Sequence, residues 1–134
     1  MIDLSVARLV HIKWVIELEE ALKKGRIPTL TTHSKCELGR WIYEHGLDRY
    51  KEYPEIRQLE LKHHRFHDMT AEAVRYYKNH DEVKAFLVME EIHKLSRDLV
   101  YLLTVVEYKI LHRSTVDELL RHPVKTLRKM ISRS

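Results

Sequence analysis

The sequence holds one cysteine, three glycines and three prolines among 134 residues, and charged residues Lys94, Arg97, Asp98 and Glu107 interrupt its most apolar region. Each scarcity excludes something. A single cysteine closes no intramolecular disulfide, and no apolar leader-like run marks export, so a disulfide-stapled secreted domain is excluded and a cytoplasmic address is expected. So few glycines and prolines supply too few turns for a β-sandwich or barrel. Without a run of about 18 apolar residues, no membrane insertion is expected. What is present, 44% hydrophobic and 33% charged residues, is the balance of one helical domain large enough for a filled core.

The formal charge of +4 is unevenly spread. From Arg113 onward, Arg121, Lys125, Arg128, Lys129 and Arg133 face only Asp117 and Glu118. Without interleaved aromatics or a base-reading motif, this excess reads as a solvated helix face and tail, and no nucleic-acid partner is expected. The chain is therefore divided into a helical bundle over residues 1–112 and a basic C-terminal helix or tail over 113–134.

Apolar spacing near 3.6 residues predicts long helices over 2–24, 55–79 and 82–112, a short one over about 36–47, and a final basic one over about 115–130 that Pro123 interrupts. Gly25 ends the first helix, Gly46 breaks the short one, Pro54 opens the next as an N1 proline, and Asp81 caps the one after it. Short connections between such helices predict an all-α, antiparallel four-helix bundle with a short extra cysteine-bearing helix and the basic C-terminal helix. In the fourth helix, over 82–112, the apolar stripe from Val83 to Ile110 is broad enough for a core on one side and a partner on the other.

The segment Ser34-Lys35-Cys36-Glu37-Leu38-Gly39-Arg40-Trp41 carries the lone cysteine. Ser34 with Glu37 three residues later reads as a capping box, which puts Cys36 in the first helical turn, where free N–H groups, the helix dipole and Lys35 favour a thiolate. His11 shares the buried stripe of the first helix with Trp14 and Val15. Taken alone, such a histidine is more often satisfied by core hydrogen bonds than by a metal. His63 and His67, four residues apart, project from one helix face and can grip a common ion, whereas His64 points about 100° away. His33, His45, His80, His93, His112 and His122 read as surface or hydrogen-bonded histidines. Facing helices bring His11, Cys36, His63 and His67 into one candidate site, three nitrogens and one sulfur, which is a complete tetrahedral set for Zn²⁺. Four protein donors leave no open position, so a structural or sensory zinc is expected rather than an enzyme's.

His11-Ile12-Lys13-Trp14, Cys36-Glu37-Leu38-Gly39-Arg40-Trp41 and His63-His64-Arg65-Phe66-His67 together resemble the pattern of the CZB family, the chemoreceptor zinc-binding domains. The resemblance spans roughly residues 5 to 110. It implies a helical bundle, a 3-His/1-Cys zinc site and a homodimer. It also implies a sensory or regulatory role: a response to zinc availability, or to an oxidant such as hypochlorous acid at the ligating cysteine, passed to a signalling partner such as a chemoreceptor or a diguanylate cyclase. No output region accompanies these motifs, so a stand-alone sensor and a piece of a longer receptor both stay open. Two other classes also stay open: a helical interaction domain, metal-free or structurally stabilised by zinc, and a hemerythrin-like di-iron oxygen binder, which needs bridging carboxylates.

Overall fold

The structure is a computed structural model that describes residues 2–132, apart from the side chains of 114–117 and 126. Arg133 and the side chain of Asp117, counted in the basic excess, lie outside the described residues. The elements are α1 (Leu4–Lys23), α2 (Glu37–Trp41), a π-helical turn (Ile42–Gly46), α3 (Leu47–Arg49), α4 (Pro54–Lys78), α5 (Glu82–Leu111), α6 (Arg113–Arg121) and α7 (Pro123–Ser132). The all-α expectation holds, and no strand occurs among the described residues. None of the helices described is long and apolar enough to cross a membrane.

The boundaries follow from local chemistry. Asp3 caps α1 by accepting from the backbone N–H groups of Ser5 and Val6, and Gly25 ends it at a φ of 73° that only glycine adopts without strain. Pro54 stands at the start of α4, and the Asp81 carboxylate caps α5 by accepting from Lys84 N–H. Gly46 departs from its expected role. It does not break the short helix but lies inside the π-helical turn, where a Cβ would come 3.1 Å from the Trp41 ring, so glycine serves close packing here.

α4 and α5 form a hairpin across residues 79–81, with Lys62 paired to Asp98 and Arg65 to Glu91. α1 lies antiparallel to α5, since Arg8 pairs with Glu107 at one end and Glu19 with His93 at the other. It therefore runs parallel to α4. Three long helices and the compact 37–49 segment enclose one core, with Leu38, Ile42, Leu59, Phe66, Ile92, Leu99, Leu103 and Val106 almost wholly removed from solvent. The first turns of α5 differ from the expected stripe: Val83, Phe86 and Leu87 are exposed, and burial begins in earnest at Ala85 and Met89.

Candidate metal centre

α1 buries Leu4, Ala7, His11, Val15, Leu18 and Ala21, and α4 buries Ile56, Leu59, His63, Phe66, His67 and Thr70. These stripes place His11, His63 and His67 in the seam between the two helices. The chain entering α2 adds Cys36. The four donor atoms lie within 4.8 Å of one another, and all four residues are at most 6% exposed. His63 is the centre of the group. Its Nε2 lies 3.1 Å from His11 Nε2, 3.1 Å from His67 Nε2 and 3.2 Å from Cys36 Sγ. A zinc tetrahedron with ordinary Zn–N and Zn–S bonds has edges of about 3.3 Å between nitrogens and about 3.6 Å between nitrogen and sulfur. These three separations fall within a few tenths of an ångström of those edges.

Proton positions sharpen the fit. His11 Nδ1–H donates to the Ala7 carbonyl at 2.7 Å, and His67 Nδ1–H donates to the Thr31 carbonyl at 2.6 Å. A carbonyl oxygen only accepts, so in both neutral rings the proton sits on Nδ1 and Nε2 presents a bare lone pair. Cys36 Sγ already accepts the Gly39 N–H at 3.3 Å. Two lone pairs and a sulfur thus converge on His63 Nε2, an atom that carries at most one hydrogen. The group has more acceptors than protons to satisfy them, which is the electrostatics of a cation site. The buried donors are imidazoles and a thiol with no carboxylate among them, so they suit Zn²⁺ and do not supply the bridging carboxylates of a di-iron centre. Trp14 packs edge-on at 4.8 Å from the His11 ring and 5.5 Å from His67, and Phe66 lies 5.5 Å from both, making the surround apolar.

Two local expectations are corrected. Ser34 is not the N-cap, because residues 33–35 form a turn in which Lys35 and Cys36 N–H donate to the Thr32 carbonyl. Cys36 is itself the N-cap of α2, its sulfur taking the place of the serine oxygen. Nor is Cys36 predisposed to ionise in the metal-free fold: burial pushes its thiol up from the ordinary value, outweighing the Gly39 and Leu38 N–H groups and Arg40, which act the other way. The helix start does act on the sulfur, but desolvation is larger. Burial likewise lowers His11, brings His63 down to about 2 and His67 down to about 4.

A pH dependence follows. These three rings are neutral in the fold and take up protons on unfolding, so the metal-free protein binds more protons unfolded and loses stability as pH falls below about 6.5. For His67 alone the loss down to about pH 4 is on the order of 3 kcal/mol. Urea midpoints of chelator-treated protein between pH 7 and pH 4.5 check this, and a level midpoint would refute it.

Of the remaining histidines, His93 contacts Glu19 at 3.0 Å. His64 lies off the His63/His67 face as expected, 3.3 Å from Asp68, with its ring stacked on that of His33. The Ala7 and Thr31 carbonyls that fix the two tautomers are invisible in the sequence, since a backbone carbonyl leaves no residue-type signal.

Residues 11–74 match the chemoreceptor zinc-binding domain, CZB, and that stretch begins at His11 and includes Cys36, His63 and His67. Over this stretch the chain is similar to the CZB domain. No curated protein and no solved structure matches the chain. The CZB match and the buried His/Cys cluster agree on zinc as the metal such a site suits.

Proposed function

We propose that this chain is a cytoplasmic zinc-dependent sensory module whose ion is held by His11, Cys36, His63 and His67. The observation that carries this reading is the convergence of the two Nε2 lone pairs and the Cys36 sulfur on His63 Nε2. Bound zinc supplies a positive charge that neutralises a thiolate and ties α1, α2 and α4 together. The residues divide the work unequally. His63 and His67 are rigidly set on α4 and His11 on α1, whereas Cys36 sits where the 24–36 connection enters a five-residue helix. It is therefore the donor whose loss disturbs the bundle least.

A cleft of about 240 Å³, with Val6, Val10, Trp14 and Leu38 in its walls, reaches His11 and Cys36. It gives a small oxidant a route to the sulfur. A two-electron oxidant that delivers oxygen converts the thiolate to a sulfenic acid, a poorer donor, and leaves three imidazoles. Release of Cys36 frees α2 and the loop before it, and that change at the bundle surface is what a signalling partner reads. Zinc scarcity acts through the same donors. Because the cysteine is protonated in the metal-free fold and the histidines are neutral, uptake of zinc near pH 7 is expected to release about one proton per ion, arising from Cys36. Calorimetry in buffers of different ionisation enthalpy measures this, and release of no proton contradicts thiolate ligation.

The second partner in this reading is another copy of the chain. Val6, Leu9 and Ile16 are 51%, 66% and 52% exposed on the outer side of α1, an apolar row suited to a self-complementary interface. Light scattering after gel filtration tests it.

The deciding experiment is zinc per chain by elemental analysis of untagged protein purified without added metal. About one zinc in the wild type, lost or much reduced in Cys36→Ala, supports the reading. No zinc, or zinc that Cys36→Ala leaves unchanged, leaves a helical interaction domain instead.

A further inference from the structure

A second group of ligand-bearing side chains lies on the outside of the same helix. α4 carries two interleaved pairs four residues apart, His63 with His67 facing the core and His64 with Asp68 facing solvent, rotated by about 100° about the helix axis. His64 Nε2 lies 3.3 Å from Asp68 Oδ2, and the side chains are 45% and 62% exposed. His33, from the connection between α1 and α2, stacks on His64 with ring centroids 3.7 Å apart and planes inclined by 19°. One donor atom from each of His33, His64 and Asp68 lies within 4.8 Å of the others.

This arrangement is held from the backbone. Two residues before His33, the Thr31 carbonyl accepts the His67 Nδ1–H, and three residues after it Cys36 caps α2. The His33 carbonyl itself packs against Gly39, where any side chain would collide with it. The loop is thus pinned on both sides of His33, which fixes its ring over α4 at little further entropic cost. Two imidazoles and a carboxylate, part-exposed and with coordination positions left to solvent, are the donor set of an exchangeable divalent transition-metal site, suited to Zn²⁺, Ni²⁺ or Cu²⁺ and unsuited to Mg²⁺ or Ca²⁺. Coordination of one ion by both rings would require one part-exposed ring to turn about its Cβ–Cγ bond out of the stack.

We propose that His33, His64 and Asp68 form a second, weaker site for a divalent transition-metal ion, separate from the buried one. An ion there joins the loop bearing Thr31 and Cys36 directly to α4. The two sites share no donor, so the two assignments fail separately.

The test is a titration of the metal-free full chain with Zn²⁺ against a chromophoric indicator, repeated with Co²⁺. Wild type is expected to take up two Zn²⁺ per chain, the second at least about tenfold more weakly than the first. The first Co²⁺ develops a sulfur-to-metal charge-transfer band, and the second adds none to it. His64→Ala, Asp68→Asn and His33→Ala each weaken the second uptake by roughly tenfold or more while leaving the first and the helical circular dichroism unchanged. His63→Gln does the converse, weakening the first uptake and leaving the second. Uptake of a single Zn²⁺ by the wild type, or a second uptake that survives His64→Ala, overturns the proposal, the latter by assigning it to other surface histidines.

Discussion

His63→Ala is expected to lower zinc affinity by roughly 10²–10³-fold and to abolish stoichiometric retention of the ion through gel filtration. The magnitude follows from dividing the roughly 10–16 kcal/mol of a structural zinc site among four donors, about 2.5–4 kcal/mol each. His63 sits at the top of that range because its Nε2 is the one atom within 3.2 Å of all three other donors. Its removal also leaves a buried cavity, so His63→Gln, which keeps most of the volume, separates loss of ligation from loss of packing. His64→Ala, one residue along and half exposed, serves as the control and is expected to keep the tightly held zinc. Retention of wild-type affinity in both His63 variants would remove the buried site from consideration.

Gly39→Ala is expected to destabilise the fold by about 2–4 kcal/mol and to weaken zinc binding with it. A Cβ at this position would fall inside the van der Waals envelope of the His33 carbonyl oxygen, 2.8 Å from the carbonyl carbon and 3.3 Å from His63 Cε1. Backbone cannot swing aside as a side chain can, so the 31–36 segment has to move. That segment carries the Thr31 carbonyl that fixes the His67 tautomer and the sulfur that caps α2. Gly46→Ala provides the comparison. Its Cβ would meet only the edge of the Trp41 ring at 3.1 Å, which a small ring shift relieves, and the expected cost is below about 1.5 kcal/mol. Urea denaturation of both variants, with zinc and with chelator, measures the difference. Equal costs would mean that close approach to His33 is not what position 39 requires.

The same glycine explains why Cys36-Glu37-Leu38-Gly39-Arg40-Trp41 is so informative a string. Cys36 is at once candidate donor and N-cap, Gly39 gives its N–H to the sulfur and admits the His33 backbone, and Leu38 and Trp41 anchor the short helix in the core at 2% and 6% exposure. Each residue type answers a separate physical demand, and the spacing is set by one helical turn.

The sequence by itself determined the helices and the candidate donors. Helical periodicity is a local property, so the courses of α1, α4 and α5 could be read from apolar spacing, with Gly25, Pro54 and Asp81 marking ends through backbone chemistry that acts within a few residues. The same spacing put His11 in a buried stripe and His63 with His67 on one face, and chemical softness then matched three imidazoles and a sulfur to zinc. Tertiary structure decided the rest. Whether Ser34 or Cys36 capped α2 depended on how residues 33–35 turn against Gly39. Whether Cys36 was a thiol or a thiolate depended on a contest between local N–H groups, visible in sequence, and desolvation by atoms brought from α1 and α4, which is not. His33 and His64 read as unrelated surface histidines until the loop was laid over the helix. Contacts between residues 31 positions apart are made by the fold, and only the fold sets the dielectric, the tautomers and the neighbours on which a site's chemistry rests.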